Sequence, residues 1–279
     1  MDIASAPAAR RRSAEPGGFA PVSLIDGDPA GGFIVLCDHA GNRLPREYGD
    51  LGLTPADLGR HIAFDPGAAA VARRLAGRLD APAVLANFSR LLIDPNRGAD
   101  DPTLIVALSD GTVVPANVGL DEAERRRRIE RFYAPYHDAV DEAIERALAA
   151  GRAPALVSIH SFTPVWRGRM RPWHAGILWD ADPRLAGPLV AALRADSALV
   201  VGDNEPYSGT LTNDTLHGHG TRRGLAHALI EIRQDLIAGE EDARDWAERL
   251  AAILADLNRR EELHEIRHHA SRAGRVRPL

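Results

Sequence analysis

The sequence predicts an α/β fold of three layers, with a mixed, mostly parallel central sheet between helices, and three observations lead there. Short β-rich apolar runs alternate with amphipathic helical patterns along the chain, the order found in sheets covered on both faces. The first run, Phe33 to Cys37, is apolar at every position, as a strand buried on both faces requires. No linker, composition break or internal repeat divides residues 21–260, which therefore read as one domain. Residues 1–20, rich in Ala, Arg, Pro and Gly, read as a disordered tail, and 261–279 as a basic C-terminal tail expected to fray beyond His264.

After Phe33 to Cys37, the further strands expected are Ala83 to Phe88, Leu91 to Asp94, Leu156 to His160, Gly176 to Trp179, Leu199 to Val201 and Ala228 to Ile232. Three helical patterns lie between and after them. Ala68, Val71, Ala72, Leu75 and Leu79 share one face behind Asp65-Pro66, which reads as an N-cap residue followed by Pro in the first turn. A longer helix from Asp121 carries Ile129, Phe132, Tyr133, Tyr136, Val140, Ile144 and Leu148 as a stripe, with Pro135 expected to kink it. The last runs from Asp242 to about Leu257 and buries Trp246, Leu250, Ile253, Leu254 and Leu257.

Composition excludes several classes. At 45% hydrophobic and 26% charged residues the chain has the mix of a globular protein with a sizeable core. A net charge of -5 gives no attraction to nucleic acid. All 34 basic residues are Arg, so Schiff-base and lysine general-base chemistry are absent. The single Cys37 allows no internal disulfide and reads as a buried strand residue. No apolar run reaches the ~20 residues that span a bilayer. Arg10 to Arg12 are not followed by the apolar region of a secretory signal. A cytoplasmic location is the resulting expectation.

Polar residues gather where strands end: Asp38-His39-Ala40-Gly41-Asn42 after the first, Ser158-Ile159-His160-Ser161 near the middle and Glu231-Ile232-Arg233 in the last. Sites in open α/β sheets form beyond the carboxyl ends of strands. His39 and His160 are of the type that ligates zinc, and each reads equally as a satisfied core histidine. For a third ligand, Asn42 has the spacing but no charge; Asp65 has the charge but also suits a helix N-cap, and His61 is a further candidate. Glu231, inside an apolar strand, is either a general base or the partner of Arg233 in an ion pair on the same strand face. Arg233 is also a candidate for substrate binding.

Arg90, Asn96 and Arg97 flank a short apolar stretch, and such groups suit a carboxylate of the substrate or a surface pairing with Asp94 or Asp100. Leu216-His217-Gly218-His219 reads as a flexible Gly-rich loop rather than a metal clip, and Arg125 to Arg128 as a solvated helix face. No Gly-x-Ser-x-Gly motif marks a serine hydrolase.

Taken together, Asp38-His39-Ala40-Gly41-Asn42, His61-Ile62-Ala63-Phe64-Asp65, Ser89-Arg90 through Asp94-Pro95-Asn96-Arg97, His160-Ser161-Phe162-Thr163-Pro164, Arg171-Pro172-Trp173-His174, Gly202-Asp203-Asn204-Glu205-Pro206-Tyr207 and Glu231-Ile232-Arg233-Gln234-Asp235-Leu236 resemble the N-formylglutamate amidohydrolase family, over about residues 25 to 255. That family is grouped with zinc carboxypeptidases and aspartoacylases. The resemblance implies a zinc-carboxypeptidase-like fold and a Zn2+ ion, or another divalent metal, held by His39 and His160. It also implies Glu231 as the base, Arg90 as the group that polarises the scissile carbonyl, and Asn96-Arg97 as the grip on the substrate carboxylate. The relatives' His-x-x-Glu is here His39-x-x-Asn42, so either Asn42 coordinates weakly or Asp65 takes its place, and charge favours Asp65. The activity implied is metal-dependent hydrolysis of a short N-acyl group from an acidic amino acid such as N-formylglutamate, a small-molecule partner. The alternatives are a peptidase or amidase for larger acyl substrates and a metal-free carboxylate-binding protein.

Overall fold

A computed structural model describes residues 10–11 and 18–279. Among the described residues the central sheet has a two-residue edge strand, Arg10–Arg11, and seven longer strands: β1 (Val22–Ile25), β2 (Phe33–Cys37), β3 (Ala83–Ala86), β4 (Ala155–Phe162), β5 (Ala175–Leu178), β6 (Val201–Asp203) and β7 (His227–Arg233). Their order is β1-β3-β2-β4-β7-β5-β6. The pairs β2/β3, β2/β4, β4/β7 and β5/β6 are parallel, whereas β1/β3 and β5/β7 are antiparallel. β2, β4 and β7 therefore run side by side in one direction, and their carboxyl ends share one edge of the sheet.

Among the described residues seven α-helices accompany it: α1 (Pro55–Leu58), α2 (Ala68–Leu79), α3 (Glu122–Arg128), α4 (Ala134–Ala149), α5 (Pro183–Arg194), α6 (Thr215–His219) and α7 (Glu240–Leu257). One face of the sheet packs Val35, Val157, Ile159 and Ile230 against Val71, Leu75, Leu189, Leu250 and Leu254 of α2, α5 and α7. The other packs Ile34, Leu36, Val84 and Leu156 against Tyr136, Val140 and Ile144 of α4. The three-layer α/β fold with a mixed, mostly parallel sheet follows from these two cores, because β2 and β4 are buried at every position. Among the described residues no helix is long and apolar enough to cross a membrane.

Several elements differ from expectation. Leu91 to Asp94 form a turn, not a strand: Leu91, Leu92 and Ile93 are buried, but the Leu92 amide closes a turn on the Ser89 carbonyl (2.9 Å). Burial without alternation looks alike for a strand and a packed turn. The helix from Asp121 passes through a π turn at Ile129–Tyr133, just before Pro135, where the missing N–H interrupts the regular register. Arg128 is buried rather than solvated, donating to the Leu92 carbonyl and Asn117 Oδ1. His217 and His219 are buried in α6, whose first turn is capped by Asp214 accepting from the His217 amide at 2.7 Å.

At the ends of the chain, residues 1–9 and 12–17 of the expected tail lie outside the described residues. Arg10–Arg11 pair antiparallel with Ser23 and Leu24, and Phe19 and Ala20 are buried. The C-terminal segment is pinned. Arg184 donates to the carbonyls of Gly224, Glu262 and Glu265, and the Leu279 amide bonds the Arg222 carbonyl at 3.0 Å.

Candidate active site

Three parallel strands deliver the site. His39 follows β2, His160 stands near the carboxyl end of β4, and Glu231 lies directly beside His160 in the β4/β7 register. The β3 exit leads into the turn that carries Arg90, Asp94, Asn96 and Arg97. Asp65 comes from the approach to α2. Its side chain does not cap that helix. Gly67 occupies the cap position at φ +79°, where a Cβ would stand 2.3 Å from the Ile237 carbonyl oxygen. Asp65 contributes only its main-chain carbonyl, to the Ala68 amide, and its carboxylate turns into the site.

There it joins the histidines. Asp65 Oδ2 is 2.9 Å from His160 Nδ1 and 3.4 Å from His39 Nδ1, and accepts from the Ser161 amide at 3.2 Å. One donor atom from each of His39, Asp65 and His160 lies within 4.8 Å of the others, and all three residues are buried. The far nitrogens face carboxylates: His39 Nε2 meets Asp94 Oδ1 at 2.8 Å, and His160 Nε2 meets Asp38 Oδ2 at 2.8 Å. A carboxylate fixes an N–H of each ring on Nε2, so both Nδ1 atoms turn toward Asp65, the orientation that a neighbouring carboxylate imposes on metal-binding histidines.

Electrostatics agree with a cation site. Burial opposes ionisation of Asp65, but the charge and hydrogen bonds of His39 and His160 outweigh it and hold its carboxyl well below the usual range. Asp38 is equally buried and is held low by His160, His39 and Thr215. Its carboxylate accepts from Thr215 Oγ1 (2.6 Å), Ser158 Oγ (2.7 Å) and Tyr136 OH (3.0 Å). Burial would lower His160, yet Asp38 and Asp65 raise it well above an ordinary histidine. Its Nδ1 proton then sits between imidazole and Asp65, the position a divalent ion would take. Two imidazole nitrogens and one carboxylate are also the donor number of a catalytic zinc site. The residues fit such a metal ion.

Glu231 is buried, and its Oε2 has no hydrogen-bond partner. Burial, against the opposing pull of His160, pushes its carboxyl up to about 7. No ion pair with Arg233 forms. The Arg233 guanidinium is bound to Asp235 (2.8 and 3.2 Å) and reaches the carbonyls of Arg171 and Trp173. Arg90 donates to Asp94 Oδ2 at 2.8 Å and Asp65 Oδ1 at 3.5 Å. It also lines a cavity of 310 Å3 with Arg97, His61, Trp166 and Tyr207. Asn96 is buried, its Oδ1 accepting from the Thr215 amide, and Arg97 bonds the Asn96 carbonyl. Asn42 is elsewhere: its amide donates to the Leu58 carbonyl at 2.8 Å. His61 lies on the cavity wall, 3.6 Å from Asp110.

Sequence reasoning left Asp38 without a role and gave Asp94 only a surface pairing with the arginines, although each orients a histidine. Asp38 stands next to His39 in sequence but serves His160, a pairing that only the β2/β4 adjacency creates. Asp94 had a weak signal, an acid flanked by Ile93 and Pro95. Ser158, Thr215 and Tyr136 had none.

Fold and site together define an α/β enzyme of the hydrolytic kind, with a buried His–Asp–His cluster beside a carboxylate and an arginine. A sequence model described as N-formylglutamate amidohydrolase matches residues 31–238. The chain belongs to the N-formylglutamate amidohydrolase family, amidohydrolases acting on C–N bonds. Among solved structures, a gene product of Agrobacterium tumefaciens is 40% identical, with 87% of this chain and 96% of that one covered and a TM-score of 0.81. An N-formylglutamate amidohydrolase from Ralstonia eutropha JMP134 is 23% identical, with 86% and 97% covered and a TM-score of 0.62, a likeness of fold. The comparison with curated proteins finds no match.

Proposed function

We propose that the protein hydrolyses the amide bond of a short N-acyl, formyl-type derivative of an acidic amino acid, N-formylglutamate foremost, using a divalent metal ion such as Zn2+ held by His39, Asp65 and His160. The observation that carries this is the convergence of those three donors beside Glu231, whose buried Oε2 has no hydrogen-bond partner. Family membership supports the bond class, and the modest cavity supports a small substrate.

A divalent ion in that position supplies Lewis acidity and acidifies water. Glu231, with a carboxyl near 7, takes the proton of the attacking water and delivers it to the departing amine nitrogen, as a general base and then acid matched to neutral pH. Arg90, fixed by Asp65 and Asp94, donates to the acyl oxygen as charge develops there. Arg97 has no carboxylate partner among the described residues and lines the cavity. With Asn96 it orients a carboxylate of the substrate. Arg233 serves at one remove, tying the Arg171–Trp173 segment by its carbonyls. For N-formylglutamate the products are formate and glutamate.

The test is a panel of N-formyl, N-acetyl and N-succinyl amino acids and short peptides, assayed with the metal-loaded protein. Preference for an N-formyl acidic amino acid supports the proposal. Faster cleavage of peptides or larger acyl groups overturns the substrate, and binding without turnover of any member overturns the enzyme.

A further inference from the structure

Away from the metal-type cluster, two buried histidines meet in a way that fixes their proton count. His137 of α4 and His219 of α6 approach with His137 Nδ1 2.8 Å from His219 Nε2. Their rings lie within 17° of parallel with centroids 5.1 Å apart, so the rings meet edge to edge. The outer nitrogens face acceptors only: His137 Nε2 the Pro95 carbonyl at 3.1 Å, and His219 Nδ1 the Asp141 carboxylate at 2.9 Å. Each outer nitrogen therefore carries a hydrogen. Between the inner nitrogens, two lone pairs or two hydrogens would repel at 2.8 Å, so one hydrogen lies there. Three protons on four nitrogens give the pair a single positive charge.

We propose that His137 and His219 share one proton as a cationic pair, with Asp141 as counter-ion, and that His137 thereby positions the Asp94–Arg97 turn. This turn is the one that steadies His39 and carries Asn96 and Arg97, so the kinetic part of the proposal rests on the function assigned above. His137 holds it by the Pro95 carbonyl. Tyr133, at the end of the π turn before α4, donates to the Arg97 carbonyl at 3.0 Å, and Thr215 of α6 reaches both Asn96 Oδ1 (3.1 Å) and the Pro95 carbonyl (3.2 Å). The turn is gripped at three successive residues, from α4, the π turn before it and α6.

The charged and titratable surroundings fit one charge and not two. Asp141 also accepts from Arg223 at 2.8 Å, and is held low by His219 and Arg223 against burial. Tyr133 before α4, Asp100 beyond the turn, Asp214 before α6 and Arg222 after it border the same cavity as the pair, and Asp38 acts from behind Thr215. Burial first, then the charge of His219, pushes His137 down to about 4, so a second proton is refused at neutral pH. Without the shared proton two lone pairs would stand face to face at 2.8 Å, and the pair would have to separate.

Two measurements on the full-length, metal-loaded protein test this. Imidazole 15N NMR of the wild type near neutral pH is expected to show the His137/His219 pair with three protonated nitrogens, one of them shared; two protonated nitrogens in total overturn the cationic pair whether or not the protein is active. Steady-state kinetics with N-formylglutamate test the positioning. His137→Phe removes the donor to Pro95 and is expected to raise KM about tenfold with kcat much less affected, the loss of one buried hydrogen bond. His137→Asn, which can still donate to that carbonyl, is expected to recover most of the loss. A folded His137→Phe with wild-type KM overturns the positioning role. If no N-formyl amino acid is turned over while three protonated nitrogens are seen, the functional reading and the positioning claim fail, and the paired charge stands.

Discussion

Replacing Glu231 by Gln separates what this carboxylate does for folding from what it does for chemistry. Its carboxyl is raised to about 7 by burial, from an unfolded value near 4.5. The native state therefore binds the proton more tightly than the unfolded one. Below pH 4 both states are protonated and the group costs nothing. As pH rises from 4.5 to 7 the unfolded chain gains by ionising, and stability is lost. The full difference corresponds to roughly 3 kcal/mol, at about 1.4 kcal/mol per pH unit. Glu231→Gln cannot ionise, so its stability relative to wild type should improve by up to that amount between pH 4 and pH 8. Fixed effects of burying an amide cancel in this difference. Urea unfolding of the metal-free proteins at the two pH values measures it. In the metal-loaded protein the same variant should lose ~100-fold or more in kcat, the contribution of one general acid–base group. A stability difference that does not move with pH refutes the raised carboxyl. Unchanged turnover refutes the base.

The other outcomes are simpler to state. Asp94→Asn, which keeps an acceptor for His39 but removes the charge holding Arg90, should weaken metal binding ~10–100-fold, read by competition with a chromophoric chelator. Arg97→Ala should raise KM for an acidic substrate by an order of magnitude or more with little effect on a neutral N-formyl amino acid, a ratio that a substrate pair reports directly. Gly67→Ala, which forces a Cβ to within 2.3 Å of the Ile237 carbonyl at φ +79°, should cost about 2 kcal/mol or more in unfolding free energy and displace Asp65. An unshifted denaturation midpoint counts against that reading.

Much of the fold was legible because β2 and β4 are apolar throughout and the helices between strands keep a clean 3.6-residue stripe. What escaped was packing without periodicity. Leu91, Leu92 and Ile93 are as buried as a strand yet form a turn, and α6 is too short and too Gly-rich to show a stripe. In the site, His39, His160 and Glu231 announced themselves as polar residues at the ends of apolar runs, where burial needs a reason. Asp65 over Asn42 was arguable on charge; that Gly67, not Asp65, caps α2 is a matter of backbone conformation that composition does not record. The partners of the histidines were beyond reach, since Asp38 serves His160 across 122 residues and Asp94 serves His39 across 55. The His137–His219 pair was hidden for the same reason, its members joined only by the docking of α6 on α4.

The most direct test follows formate release from N-formylglutamate by the purified protein after chelation, and again after adding back zinc. Activity lost on chelation and restored by one equivalent of zinc per chain is the result expected of a His39–Asp65–His160 metal site serving Glu231. Full activity in metal-free protein, or none on this substrate with one zinc bound, contradicts it.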